Sequence, residues 1–225
     1  MTRESAVTAV SIPLDDRGTD LDGDLAIPIG ATGLVVFVHG SGSSRFSPRN
    51  RAVAASLRDR GIGTLLFDLL TEQEEMRDNR TAELRFDIEL LRKRLVQVTD
   101  WLAHHERAAG LQLGYFGAST GAAAALLAAA DRPGRVRAVV SRGGRPDLAA
   151  DALADVMAPT LLIVGGADDM VIELNQQAYA QLRCEKQLAL VPGATHLFEE
   201  PGTLEKVSEL AGEWFARHFS PAAER

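Results

Sequence analysis

Short, mainly apolar runs alternate with longer amphipathic stretches along most of this chain. The run Leu34-Val35-Val36-Phe37-Val38 has no polar position, as expected of a strand covered on both faces. Similar runs predict strands at 64–67, 111–116, 136–140, 161–164 and 187–191. Helical patterning falls between them, at about 82–105, 120–131, 147–155 and 172–183. Another helix opens at Ser47-Pro48, a cap followed by a first-turn proline, and runs to Arg60, where Gly61 stops it. A last helix at 203–218 carries Leu204, Val207, Leu210, Ala211, Trp214 and Phe215 on one stripe. Ahead of all this, 5–12 and 20–28 read as two modest strands joined by an Asp/Gly-rich turn at 15–20, an antiparallel hairpin at a sheet edge. The charged stretch 71–81, with Glu72, Glu74, Glu75 and Arg77, reads as a mobile loop able to edge a pocket.

Alternation of this kind predicts an α/β fold: a mostly parallel sheet of about eight strands with helices on both faces. Without repeat, low-complexity segment or linker, the expectation is one domain over 1–225.

Ligands in such sheets sit beyond the carboxyl ends of the strands, so the residues that follow each strand carry the chemistry. The strand at 111–116 runs into Gly117-Ala118-Ser119-Thr120-Gly121 and then an alanine-rich helix. Small neighbours on both sides allow a tight strand-to-helix turn that lifts a serine hydroxyl above the sheet. Asp168 follows the strand at 161–164, within Gly165-Gly166-Ala167-Asp168. His196 follows the last strand, in Gly193-Ala194-Thr195-His196. A serine needs a base to take its proton, and the base needs an acid to hold its tautomer and steady its cation. Ser119, His196 and Asp168 are the candidates, with Asp168 favoured over the adjacent Asp169. After the strand at 34–38, His39-Gly40-Ser41-Gly42 lets the backbone turn so that the Ser41 N–H faces the serine. The N–H of Thr120 would be its partner in an oxyanion hole. Bland alternatives exist for each: Ser119 as a helix cap, Asp168 or Asp169 as the cap of the next helix, and His196 as a surface loop histidine.

Arg142 and Arg145 follow the strand at 136–140 on the same edge and are candidates for holding an anionic part of a substrate. Loop salt bridges account for them equally well, as they do for Arg45 and Arg49. His104-His105-Glu106 lacks the i, i+4 histidine pairing of a zinc helix and reads as a solvated helix end; His218 reads as a surface residue. No metal site is expected. No cofactor is implied either, since neither a dinucleotide-binding glycine turn nor a Walker loop is present.

Composition narrows the setting. A net charge of -7 gives no support for binding nucleic acid or an anionic membrane. Cys184 is the only cysteine, so no intrachain disulfide can form. Met1-Thr2-Arg3-Glu4-Ser5 lacks the apolar core of a signal peptide. The apolar run 121–130 is too short to span a bilayer. A cytoplasmic protein acting on a small molecule is the expectation.

The four glycine-rich motifs, with Leu197 and Phe198 after the histidine, resemble those of the α/β-hydrolase superfamily and within it the dienelactone hydrolase family. The resemblance covers roughly 20–218 and implies the Ser-Asp-His triad and fold. Dienelactone hydrolases proper carry a cysteine at the elbow, where this chain has Ser119. The fold and triad therefore carry over, the dienelactone substrate does not, and the serine implies a carboxylesterase. The interval 141–160 is too short for a helical cap domain, which implies an open site for small or medium acyl compounds. Esters or lactones cleaved through an acyl-enzyme lead. Acyl transfer, amide cleavage, and a non-catalytic ligand-binding module on the same scaffold are the alternatives.

Overall fold

The computed structural model describes residues 6–15 and 17–219. The signal-peptide reading of residues 1–5, the first position of the strand expected at 5–12, and Asp16 in the hairpin turn lie outside them.

Strand β3 (Gly33–Val38) is buried at every position, as its unbroken apolar run requires. It lies between β4 (Gly63–Phe67) and β5 (Gln112–Ala118), parallel to both. β6 (Val136–Arg142), β7 (Thr160–Gly165) and β8 (Lys186–Val191) extend the parallel part outward in sequence order. β1 (Thr8–Pro13) and β2 (Asp20–Ala26) form the expected antiparallel hairpin at the other edge, and β2 also runs antiparallel to β4. The order is β1-β2-β4-β3-β5-β6-β7-β8.

Two apolar layers flank the sheet. On one face α1 (Pro48–Asp59) and α6 (Thr203–His218) bury Val53, Leu57, Val207, Ala211, Trp214 and Phe215 against Phe37, Phe116 and Val140. The other face takes α3 (Ile88–Leu102), α4 (Thr120–Asp131) and α5 (Asp169–Gln181), with Leu91, Leu95, Val98, Leu126 and Ala178 in its core. α4 buries nearly every residue because its alanines let it lie close to β5 and β6.

Three expectations are corrected. The stretch 71–81 is a helix, α2 (Glu72–Thr81). Thr71 Oγ1 accepts from the Glu74 N–H while the Glu74 carboxylate accepts from the Thr71 N–H, a reciprocal cap that fixes the first turn. Arg94 of α3 then pairs with Glu74 at 2.6 Å. The helix expected from 82 begins at Ile88, after a single 3-10 turn at Leu84–Phe86. Buried Asp78 draws that turn inward by accepting from the Leu84 and Arg85 N–H groups, at 2.7 and 3.0 Å, and from the Arg85 guanidinium. Finally, 147–155 forms 3-10 turns within Pro146–Asp155, broken at Ala150, where φ is 45°.

Candidate active site

β5 gives way to Ser119, whose φ of 50° and ψ of −123° lie where a side chain is rarely tolerated. Such a conformation costs about 1–3 kcal/mol and persists only where the surroundings over-determine it. Here they do. The Ser119 N–H donates to Arg142 O, and its carbonyl accepts from the Ala122 and Arg145 N–H groups. On either side only glycine fits: a Cβ on Gly117 would stand 2.5 Å from Ala122 Cα, and one on Gly121 2.2 Å from Val38 O. Ser119 holds the N-cap position of α4, yet its side chain makes no cap bond. The hydroxyl is left for other use.

Asp168 likewise occupies an N-cap position, that of α5, without capping. Its Oδ2 instead stands 2.8 Å from Nδ1 of His196. A carboxylate there places the imidazole proton on Nδ1 and leaves Nε2 with its lone pair. Asp168 is nearly buried while the histidine is 39% exposed, so the acid is shielded and the base reachable. Asp169 is exposed in the first turn of α5. The loops bearing acid and base are bound together: Ala167 N–H donates to Ala194 O, and a Cβ on Gly165 would lie 2.4 Å from that carbonyl.

The histidine loop also packs on the turn after β6. A Cβ on Gly143 would lie 3.0 Å from His196 O and 3.7 Å from its Cε1. Since Gly143 follows the residue whose carbonyl holds the Ser119 N–H, serine and imidazole flank one short turn. Among the described residues no hydrogen bond joins Ser119 Oγ to His196. Catalytic contacts of this kind often tighten only when substrate is bound.

The loop after β3 meets the elbow closely, a Cβ on Gly40 falling 3.0 Å from Ser119 Cβ. Ser41 N–H donates to Thr120 Oγ1 at 2.9 Å, an engagement absent from the expectation that it would face the serine unoccupied. His39 anchors the loop. Its Nδ1 meets Gly40 O at 3.0 Å while Nε2 accepts from the Leu69 N–H at 3.2 Å. Burial pushes its pKa below the usual histidine value, against the smaller opposing effects of Gly40 O and Asp68.

A cavity of about 350 Å³ opens along this loop, lined by Ser41, Leu70, Glu75, Asn79, Arg85 and Leu91 among others. Its wall reaches the elbow through Gly40 and Ser41; Ser119, Asp168 and His196 do not line it. Glu75, Asp78 and Asn79 of α2 line it, so the segment read as a loop does edge the cavity, as a capped helix.

The two candidate substrate arginines part company. Arg145 forks onto Asp147 at 2.9 and 2.8 Å. Arg142 is 6% exposed, reaches Asn50 Oδ1 at 3.1 Å, and has a buried Nε without a partner. Burial, then the Arg49 charge, pushes its pKa down to about 10. It lies 5.8 Å from the ring centroid of Phe198, two residues past His196. Arg45 pairs with Asp68 and Asp22, and Arg49 with Glu199. His104 and His105 turn to Asp100 O and to the Trp101 ring. His218 is not a surface residue: it packs on Trp214 with its side chain only 12% exposed. Among the described residues no group of three or more His, Cys, Asp or Glu could hold a metal ion. Sequence reasoning passed over His39 and the Thr120 hydroxyl. For α2 the signal was present, in the Thr71-x-x-Glu74 spacing.

A mostly parallel sheet that carries a strained serine turn after β5, an acid after β7 and a histidine after β8 defines the α/β-hydrolase fold. Residues 21–219 match the family described as the dienelactone hydrolase family, and the chain belongs to it. A dienelactone hydrolase from Anabaena variabilis is 57% identical and superposes with a TM-score of 0.94 over 96% of this chain and 99% of that one. Est1E from Butyrivibrio proteoclasticus, at 17% identity, shares the fold with a TM-score of 0.79 over 95% of this chain and 99% of its own. Two Mycobacterium tuberculosis proteins, from different strains and provisionally named phosphoribosyl transferases, are each 62% identical over 197 residues. Those residues are 88% of this chain and 44% of each relative, so the chain spans less than half their length. Among the described residues no helix is long and apolar enough to cross a membrane.

Proposed function

We propose that this member of a hydrolase family is a serine hydrolase cleaving small to medium carboxylic esters or lactones through an acyl-enzyme. The observation that carries the reading is the 2.8 Å contact between His196 Nδ1 and Asp168, on the sheet edge where Ser119 keeps a strained backbone and an uncommitted hydroxyl. Ser119 Oγ attacks the acyl carbon as His196 Nε2 takes its proton, and the carbonyl electron pair moves onto oxygen. The anion is met by the N–H groups of Thr120 and Ser41. Collapse expels the alkoxide, which leaves with the proton from His196. Water, deprotonated by the same nitrogen, then releases the acid and restores the serine. Asp168 holds the ring and steadies its cation throughout.

With Arg145 engaged by Asp147 and Arg142 buried and bonded to Asn50, no charged anchor is asked of the substrate. The net charge of -7 and the lone cysteine suit a cytoplasmic enzyme with a small-molecule substrate and neither nucleic acid nor membrane as partner. The transferase name of the mycobacterial proteins belongs to chains more than twice the matched length and does not alter this reading. The test is turnover of p-nitrophenyl acetate, butyrate and octanoate by wild type and Ser119→Ala, with fluorophosphonate labelling of both. Loss of turnover and of label in the variant is expected. Undiminished hydrolysis by Ser119→Ala would refute the mechanism.

A further inference from the structure

We propose that the side-chain hydroxyl of Thr120, as well as its main-chain N–H, donates to the oxyanion formed at Ser119. This rests on the acyl-enzyme reading above. A threonine hydroxyl has one proton to give and two lone pairs to receive. In Thr120 one lone pair is taken by the Ser41 N–H at 2.9 Å, and among the described residues the proton has no acceptor. Two threonines inside helices dispose of theirs locally. Thr99 Oγ1 donates to Leu95 O at 2.8 Å and Thr81 Oγ1 to Arg77 O at 3.3 Å, each one turn back along its helix. Thr120 cannot follow them. It is the first residue of α4, and four positions back the chain is strand β5.

The hydroxyl is therefore a nearly buried donor, bridging the two segments that carry the candidate main-chain donors and adjoining the nucleophile in sequence. Two roles are open to it. As a placeholder, it would swing away when a substrate oxygen claims the Ser41 N–H. As a donor, it would stay in place, share the Ser41 N–H with that oxygen in a three-centre bond, and turn its own proton to the same oxygen. The second fits the chain better, because a β-branched side chain has few rotamers at a helix start and this one is packed under the β3 loop. An accepted bond from Ser41 also polarises the hydroxyl and strengthens its donation. No proton is transferred: Thr120 stabilises charge while Ser119 gives its proton to His196.

The experiment compares kcat and KM on p-nitrophenyl butyrate for wild type, Thr120→Val and Thr120→Ser, with Ser119→Ala alongside. Valine keeps the shape and the main-chain N–H but removes the hydroxyl. The expected result is a kcat about 10²-fold lower in Thr120→Val, the effect of losing one oxyanion donor, with KM little changed and Thr120→Ser restoring most of the loss. A valine variant within about threefold of wild type would overturn the donor role, as would equal losses in valine and serine. Should the valine variant fail to fold, Thr120→Ala against Thr120→Ser makes the same comparison. If Ser119→Ala abolishes turnover while Thr120→Val does not, this inference alone falls; if Ser119→Ala is fully active, the acyl-enzyme reading falls with it.

Discussion

Two serines in this protein stand at the N-cap position of a 12-residue helix, and they are used in opposite ways. Ser47, ahead of α1, has a φ of −48° and accepts the Asn50 N–H on its hydroxyl at 3.3 Å. Ser119, ahead of α4, has a φ of 50° and caps nothing. One hydroxyl satisfies the backbone of its own helix; the other is withheld from that task by a turn that glycines on both sides permit. A local rule that reads serine before a helix as a cap describes the first and misses the second. The difference lies in what confines the turn: the Ser47 N–H bonds back to Ser44 O within its own loop, whereas Ser119 is clamped by the 142–145 backbone and overlain by Gly40.

The contrast extends to the acids beside α5, where it can be broken most sharply. Asp168→Asn should lower kcat about 10⁴-fold, because an amide opposite Nδ1 favours the wrong imidazole tautomer. Asp169→Asn should stay near wild type. Comparable losses in both would unseat the assignment of the acid. On the stability side, Ser47→Ala should cost about 1 kcal/mol in urea unfolding, with turnover far less affected than by Ser119→Ala. Ser119→Gly should instead stabilise by up to about 1 kcal/mol, as glycine accepts a positive φ without strain. Its unfolding midpoint would fall below that of wild type if the elbow were unstrained.

The smallest effect concerns pH. His39 has a native pKa depressed by burial, so below about pH 6.5 the unfolded chain takes up a proton that the native state resists. Its contribution to stability is intact above that pH and is lost progressively as pH falls. Between about pH 7.5 and 5.5, a window spanning the ordinary histidine value, wild type should therefore lose more stability than His39→Gln, as measured by urea titration.

Much of this architecture was legible in the residues. Mainly apolar runs marked the parallel strands, and the stripe on 203–218 marked α6 to its bounds. Failures occurred where local chemistry outweighed composition. Four charges between 72 and 77 suggested a loop, but a cap at Thr71 and an ion pair from Arg94 to Glu74 made a helix. The helix before β5 starts later than its periodicity suggests because Asp78, distant from its first turn, gathers the backbone at 84–85.

Sequence by itself determined the order of strands and helices, the turns at which serine, acid and histidine stand, and the glycines that make those turns possible, for all of these follow from neighbours along the chain. Tertiary structure alone decided which acid meets the histidine, that Arg142 is buried, and that the Ser41 N–H is held by the Thr120 hydroxyl. Those outcomes depend on distances between segments as many as 79 residues apart, which no periodicity encodes.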